Sequence, residues 1–69
     1  MEVVKFKAFC IERYKFAFGL TGSETLRLFM KYGVMDYIES FFDVLHSFGD
    51  KHLINDINEF IDVRKKRLP

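Results

Sequence analysis

The sequence contains very few of the residues that cross-link, interrupt or ligate a protein chain. Among its 69 residues are one cysteine, one proline and two histidines. The single cysteine, Cys10, cannot form an internal disulfide, which predicts a small buried hydrophobe in a protein kept reduced. The only proline, Pro69, leaves every upstream segment free to be helical. We therefore expect neither a disulfide scaffold nor a chain divided by proline-rich linkers.

Long apolar runs are also missing. No segment approaches the roughly 18 apolar residues that a membrane-spanning helix needs. The charged residues Glu2, Lys5 and Lys7 interrupt the N-terminal segment MEVVKFKAFC, where a signal peptide would need an unbroken apolar stretch. The sequence therefore predicts a cytoplasmic protein with no membrane segment.

Apolar and aromatic side chains, by contrast, are plentiful. The chain is 49% hydrophobic and 17% aromatic, with nine phenylalanines and three tyrosines. A chain of this length buries only about 60% of its unfolded surface, so a rich core has to offset the entropy of ordering. We predict one all-α domain over residues 1–69, a compact bundle of about four short helices.

The glycines mark where these helices end. Gly19 and Gly33 follow two amphipathic segments, as glycine does when it closes a helix in the left-handed conformation. The first predicted helix runs over residues 2–18. The second begins after Thr21, which forms a capping-box pattern with Glu24, and runs to about Tyr32.

The second half of the chain predicts two more helices. Asp36 is expected to cap a third helix that continues to about Phe48, and Asp50 a fourth. The fourth ends in the basic run from Arg64 to Arg67, which suits the negative end of a helix dipole. A solvated helix terminus is favoured for this run over attachment to nucleic acid or membrane.

Projection at about 100° per residue predicts which helix faces are buried. One face is clear for the second, third and fourth helices. The predicted buried residues are Leu26, Leu28, Phe29, Met30 and Tyr32, then Tyr37, Ile38, Phe41, Phe42, Val44, Leu45 and Phe48, and finally Leu53, Ile54, Ile57, Phe60 and Ile61.

The first helix differs because it carries apolar residues on two sides. Phe9 and Phe16 lie almost opposite its main face, which holds Val3, Val4, Phe6, Cys10, Ile11, Tyr14, Ala17 and Phe18. Two interpretations stay open. Either this is a central helix covered on both sides, or Phe9 and Phe16 form an exposed stripe that binds a partner.

The catalytic and metal-binding patterns that the sequence offers are weak. His46 follows Asp43 by three residues, the spacing of half a carboxylate-bridged metal site, but Asp43 is predicted on the outer face. A helix-end histidine is the simpler interpretation of His46, and a solvated residue that of His52. Without a phosphate loop, a cysteine pair or a catalytic triad, we expect neither an enzyme nor a cofactor.

Charge tests the alternative of a small DNA-binding regulator. Residues 1–33 carry six Lys/Arg and three Glu, whereas residues 34–63 carry one lysine and seven acids. A reading helix in the second part would present Asp36 to phosphate and be repelled. One in the first part would offer only Arg27 and Lys31, so the sequence argues against nucleic acid.

The segments LTGSETLRLFMKYGVMDYIESF and DVLHSFGDKHLINDINEFI resemble the small bacterial proteins grouped as domain of unknown function 3791. The resemblance covers about residues 9–63; Phe48 and the basic tail depart from it. It brings no activity and no catalytic residues. Members of that family are often encoded beside proteins that look like ADP-ribosyltransferases, which implies an antitoxin-like or regulatory partner. The matching positions are Leu28, Phe29, Tyr32, Gly33, Val34, Asp36, Tyr37, Ile38, Leu45, His46, Gly49, Asp56 and Ile57.

Taken together, these features favour a protein-protein interaction module. The candidate partner-binding residues are Phe9, Phe16 and Arg13, and the partner is another protein or a second copy of the chain. The alternatives are a small DNA-binding transcriptional regulator that uses Arg27 and Lys31, and a self-assembling structural homodimer.

Overall fold

A computed structural model describes residues 2–67 of the chain. These residues form an all-α bundle, as the sequence predicts. Its five helices are α1 (Val3–Phe18), α2 (Gly22–Tyr32), α3 (Val34–Ser40), α4 (Phe42–Leu45) and α5 (Asp50–Arg67).

The turn between α1 and α2 follows the predicted chemistry. Gly19 closes α1 in the left-handed conformation, with φ 63° and ψ 36°. At the start of α2, the Glu24 backbone N–H donates to Thr21 Oγ1 at 3.1 Å, and the Thr21 backbone N–H donates to Glu24 Oε1 at 2.9 Å. The predicted capping box is therefore confirmed, and it satisfies two backbone donors that the helix leaves free.

A single residue, Gly33, separates α2 from α3. Its φ is 71°, and its backbone N–H donates to the carbonyl of Phe29. The next helix starts at once with Val34, so the prediction that Asp36 caps a third helix is wrong. Asp36 instead lies in the first turn of α3, where a carboxylate still favours the positive end of the helix dipole.

The third predicted helix is also interrupted, at Phe41. This residue has φ −115° and ψ 25°, outside the helical region, and α4 begins after it. The break lets Phe42 pack edge-on against Phe6, with ring centroids 5.4 Å apart. Phe41 and Val44 stay 53% and 54% exposed, contrary to the predicted face. Helical projection assumes one continuous helix. It therefore could not predict how the break at Phe41 changes the directions of the side chains around it.

Helix α5 carries the narrow apolar stripe that the sequence predicts. Leu53, Ile54, Ile57 and Ile61 are all buried. The helix includes Asp50 as its first residue, so Asp50 is not the cap; the Gly49 carbonyl accepts from the Leu53 N–H at 2.9 Å.

The core forms around α1, which contacts α2, α3 and α5. From α2 it receives Phe29 and Tyr32, together with Thr25, a buried polar residue whose hydroxyl donates to the Thr21 carbonyl at 2.9 Å. The predicted burial of Leu26 and Met30 is wrong, and so is that of Val4, Ala17 and Phe18 on α1, since all five are exposed. None of the helices described for residues 2–67 is both long and apolar enough to cross a membrane.

Candidate functional site

The two phenylalanines that were predicted to form one stripe on α1 differ in their exposure to solvent. Phe16 is 79% exposed. Phe9 is half-buried against the core and packs beside Phe6, with ring centroids 6.2 Å apart. The two rings therefore do not form a uniformly exposed stripe, and the described residues leave the Phe16 side of α1 uncovered.

Phe16 lies between two shallow grooves, which together we call the Phe16 groove. The first, of about 530 Å³, runs between the end of α1 and the start of α5 and is lined by Phe18 and Ile54 among others. The second, of about 490 Å³, extends back along α1 past Phe9 to Lys5. Phe16 and Arg13 line both grooves, which makes their side chains the wall between them.

Ion pairs hold the side chains at the rim of the Phe16 groove. Arg13 Nε lies 3.3 Å from Asp50 Oδ2, which ties α1 to the start of α5, and the Arg13 guanidinium carbon lies 5.2 Å from the centre of the Phe9 ring. Within residues 2–67, the cations Lys5 and Lys51 on the same rim have no ion-pair partner. The rim therefore has unpaired positive charge facing solvent.

Each of the two histidine rings stacks on a phenylalanine ring. His46 Nδ1 lies 2.7 Å from the Phe42 carbonyl oxygen, and its ring stacks on that of Phe42 at 4.7 Å. His52 stacks on Phe48 at 4.0 Å. In the described part of the chain, no group of His, Cys, Asp and Glu is arranged to hold a metal ion.

Cys10 is fully buried in the core. Burial raises the pKa of its thiol to about 12, because the low-dielectric interior disfavours the thiolate. A thiol held neutral in this way lacks the nucleophilic form at physiological pH, so it acts as an apolar core residue.

The residues of the DNA-binding alternative lie on α2. Arg27 and Lys31 are both exposed, and Lys31 Nζ lies 5.4 Å from the centre of the Tyr32 ring. The following helix presents the exposed carboxylates Asp36 and Glu39. The structure thus leaves Arg27 and Lys31 exposed on α2, and α3 contains no basic residue that could extend this pair.

Sequence reasoning missed a polar contact between α3 and α5. Tyr37 donates from its hydroxyl to Asp56 Oδ2 at 2.6 Å. Desolvation by burial and the bond to Asp56 raise the pKa of Tyr37 to about 12. No spacing in the sequence indicates this pair, since the residues meet only when α3 packs on α5.

An aromatic row extends from the same contact. The Tyr37 ring stacks on Phe60 at 4.1 Å and lies 5.3 Å from Phe41. On Phe60, the guanidinium carbon of Arg64 lies 4.8 Å from the ring centre. Phe41 follows Tyr37, and Arg64 follows Phe60, by one helical turn, and that spacing is the only sequence signal of this row.

The described residues define a class of fold: a small all-α bundle with Phe16 exposed on its surface. The family model described as "Protein of unknown function (DUF3791)" matches residues 5–64, and the chain belongs to that family. Neither the curated proteins nor the solved structures contain a match to this chain.

Proposed function

We propose that this chain is a protein-protein interaction module that binds a helix of another protein in the Phe16 groove. The exposure of Phe16 carries the proposal: this phenylalanine is 79% exposed between two grooves and presents a large apolar ring that a partner can cover. Large aromatic side chains that are buried between two proteins provide most of the binding energy in many interfaces.

The rim of the groove indicates the chemistry of the partner. Lys5 and Lys51 are unpaired within residues 2–67, whereas Arg13 and Asp50 neutralise each other. An amphipathic helix with an apolar anchor flanked by carboxylates complements this arrangement. Arg13 then acts mainly by fixing the groove wall between α1 and α5.

We also propose a more specific role for the module: it regulates a neighbouring enzyme in the manner of an antitoxin. This role rests on the gene association that the family resemblance implies. The binding surface is proposed independently of that role, so an enzyme partner and a non-catalytic partner are both compatible with the groove.

Affinity capture from the source cell tests the surface with a matched pair of variants. Phe16→Ser should lose the captured protein, since truncation of an anchor weakens binding by about 2 to 4 kcal/mol. Val4→Ser is the control, because Val4 is 64% exposed on the same helix and lines neither groove. Equal capture by both variants would contradict the proposal.

Two further measurements separate the alternatives. Sedimentation equilibrium across a concentration series should give a monomer; a dimer lost in Phe16→Ser would assign the groove to a second copy of the chain. A mobility shift with duplex DNA at physiological salt should be absent. A shift abolished by Arg27→Ala would instead establish the DNA-binding regulator.

A further inference from the structure

The aromatic row of Phe41, Tyr37 and Phe60 has two different ends. At one end, Arg64 of the chain itself lies over Phe60, with its guanidinium carbon 4.8 Å from the ring centre. At the other end, Phe41 is 53% exposed to solvent. The row therefore holds one arginine already and leaves a second aromatic side chain open.

A groove runs beside this row. Its volume is about 240 Å³, and Asp36 and Ser40 supply its polar lining next to the three rings and Arg64. A second groove, on the Asp56 side of the Tyr37 and Phe60 rings, is lined by two carboxylates, those of Asp56 and Glu59. Aromatic faces next to carboxylates form the environment that a guanidinium group prefers, since it stacks and pairs at once.

The charge of the surrounding chain points the same way. Residues 34–63 contain seven acidic residues and only one basic residue, Lys51. Lys51 lines the Phe16 groove and not the aromatic row. The charged side chains that line the two grooves are three acids, Asp36, Asp56 and Glu59, and one base, Arg64, while Lys65, Lys66 and Arg67 line neither groove. The lining is therefore acidic overall, which favours a basic segment over an acidic one.

We propose that the aromatic row is a second docking site, which binds an arginine-bearing basic segment of a partner protein, with one arginine stacked on Phe41 and paired with Asp36. Arg64 shows within the same chain that the row accepts a guanidinium group over one of its rings. Arginine fits better than lysine because its planar group stacks on a ring while its edge donates to a carboxylate.

This site is independent of the Phe16 groove. The two surfaces share no lining residue, and their charges are opposite in sign. A partner that fits one, an acidic helix, is repelled by the other. Loss of one binding activity should therefore leave the other intact.

Fluorescence anisotropy with a labelled arginine-glycine peptide tests the proposal directly on the full chain. Phe41→Leu should weaken binding about three- to five-fold, the usual value of an exposed cation–π contact. Phe41→Trp should keep or strengthen it, because indole is the best partner for a cation. Asp36→Asn should weaken binding and reduce its dependence on salt.

The controls use the same region and the same method. Val44→Ala changes a residue of equal exposure, 54%, that does not line the grooves, and should bind the peptide like the unaltered chain. Phe16→Ser should also bind normally, which separates this test from that of the proposed function. Thermal unfolding of Phe41→Leu confirms that any loss is not loss of fold.

Three results would overturn the proposal. One is equal binding of a peptide in which uncharged citrulline replaces arginine. Another is a Phe41→Leu variant that binds as tightly as Val44→Ala. The third is a chain that self-associates through the row, shown by a mass in sedimentation equilibrium that falls in Phe41→Leu, since the basic end of a second copy would then be the occupant.

Discussion

The Phe16 groove and the aromatic row show two ways in which a small bundle leaves aromatic residues at its surface. In the groove, no aromatic ring of residues 2–67 stacks on Phe16, and the unpaired charges on the rim are cations. In the row, each ring contacts another ring, and Arg64 covers one end. The row therefore contributes to the stability of the chain, whereas Phe16 contributes little to it and stays exposed to solvent.

The largest expected difference between the two surfaces is in stability. Phe60→Ala should lower the free energy of unfolding by about 2 kcal/mol, because a half-buried ring that stacks on Tyr37 and Arg64 is removed. Phe16→Ala should change it by less than about 0.5 kcal/mol. Urea unfolding of both variants measures this. Similar losses would show that Phe16 also packs within the fold.

Glycine substitutions come next, because Gly33 lines the groove beside the aromatic row. Gly33→Ala should cost about 1 kcal/mol and Gly33→Val more, since φ is 71° there. An added Cβ would meet only Arg64 Nη1, at 3.8 Å, so the loss comes from the backbone. Gly22, which has no positive φ and open space around it, is the control: Gly22→Ala should be neutral or slightly stabilising. An unchanged melting temperature for Gly33→Val would refute the capping argument.

A smaller effect is expected for the hydroxyl of Tyr37. Tyr37→Phe should cost about 1 kcal/mol at neutral pH, because it removes the bond to Asp56. The raised pKa adds a pH dependence: the folded state holds the Tyr37 proton more tightly than the unfolded state does. The stability that the raised pKa of Tyr37 contributes is thus fully present below about pH 10 and is lost as pH rises toward about 12.

Unfolding followed between pH 8 and pH 12 distinguishes this residue from Tyr14. Tyr37→Phe should flatten the alkaline loss only in part, because burial also raises the pKa of Tyr14. Tyr14 donates to Asn58 Oδ1 at 3.0 Å, so Tyr14→Phe is the matched variant. If Tyr37→Phe kept the full alkaline loss, the titration of Tyr37 would not be its cause.

The smallest effect is expected for the two arginines that lie over phenylalanine rings. Arg13→Ala breaks an exposed pair with Asp50 and should cost no more than about 0.5 kcal/mol, falling further in high salt. Arg64→Ala should cost a similar amount with less dependence on salt, because its contact with Phe60 has no ion pair among residues 2–67. Identical salt responses would mean that the two surfaces do not differ in electrostatics.

Local features of the fold could be predicted because their causes lie within a few residues. The capping box of Thr21 and Glu24 and the left-handed caps at Gly19 and Gly33 depend on backbone donors and φ angles of neighbouring positions. The apolar stripe of α5 has a regular helical spacing over a continuous helix. Each of these predictions is confirmed because no distant contact had to be known.

The candidate site could be predicted only in part. Helical projection placed Phe9 and Phe16 together, opposite the Phe6 face, whereas Phe9 packs beside Phe6 and Phe16 remains exposed. That difference depends on how the neighbouring helices cover each end of α1. The predicted burial of Phe41 is wrong because its exposure follows from a break in the helix, which projection of a continuous helix cannot show.

The sequence alone determined the helical class, the turns at Gly19 and Gly33 and the division of charge between residues 1–33 and 34–63, because composition, glycine and short-range capping fix these locally. Only the tertiary structure decided which aromatic side chains meet. Tyr37 reaches Asp56 and Phe60, and Arg13 reaches Asp50, across large separations in the chain. Contacts of that kind depend on how the helices pack, and no spacing within a single helix encodes them.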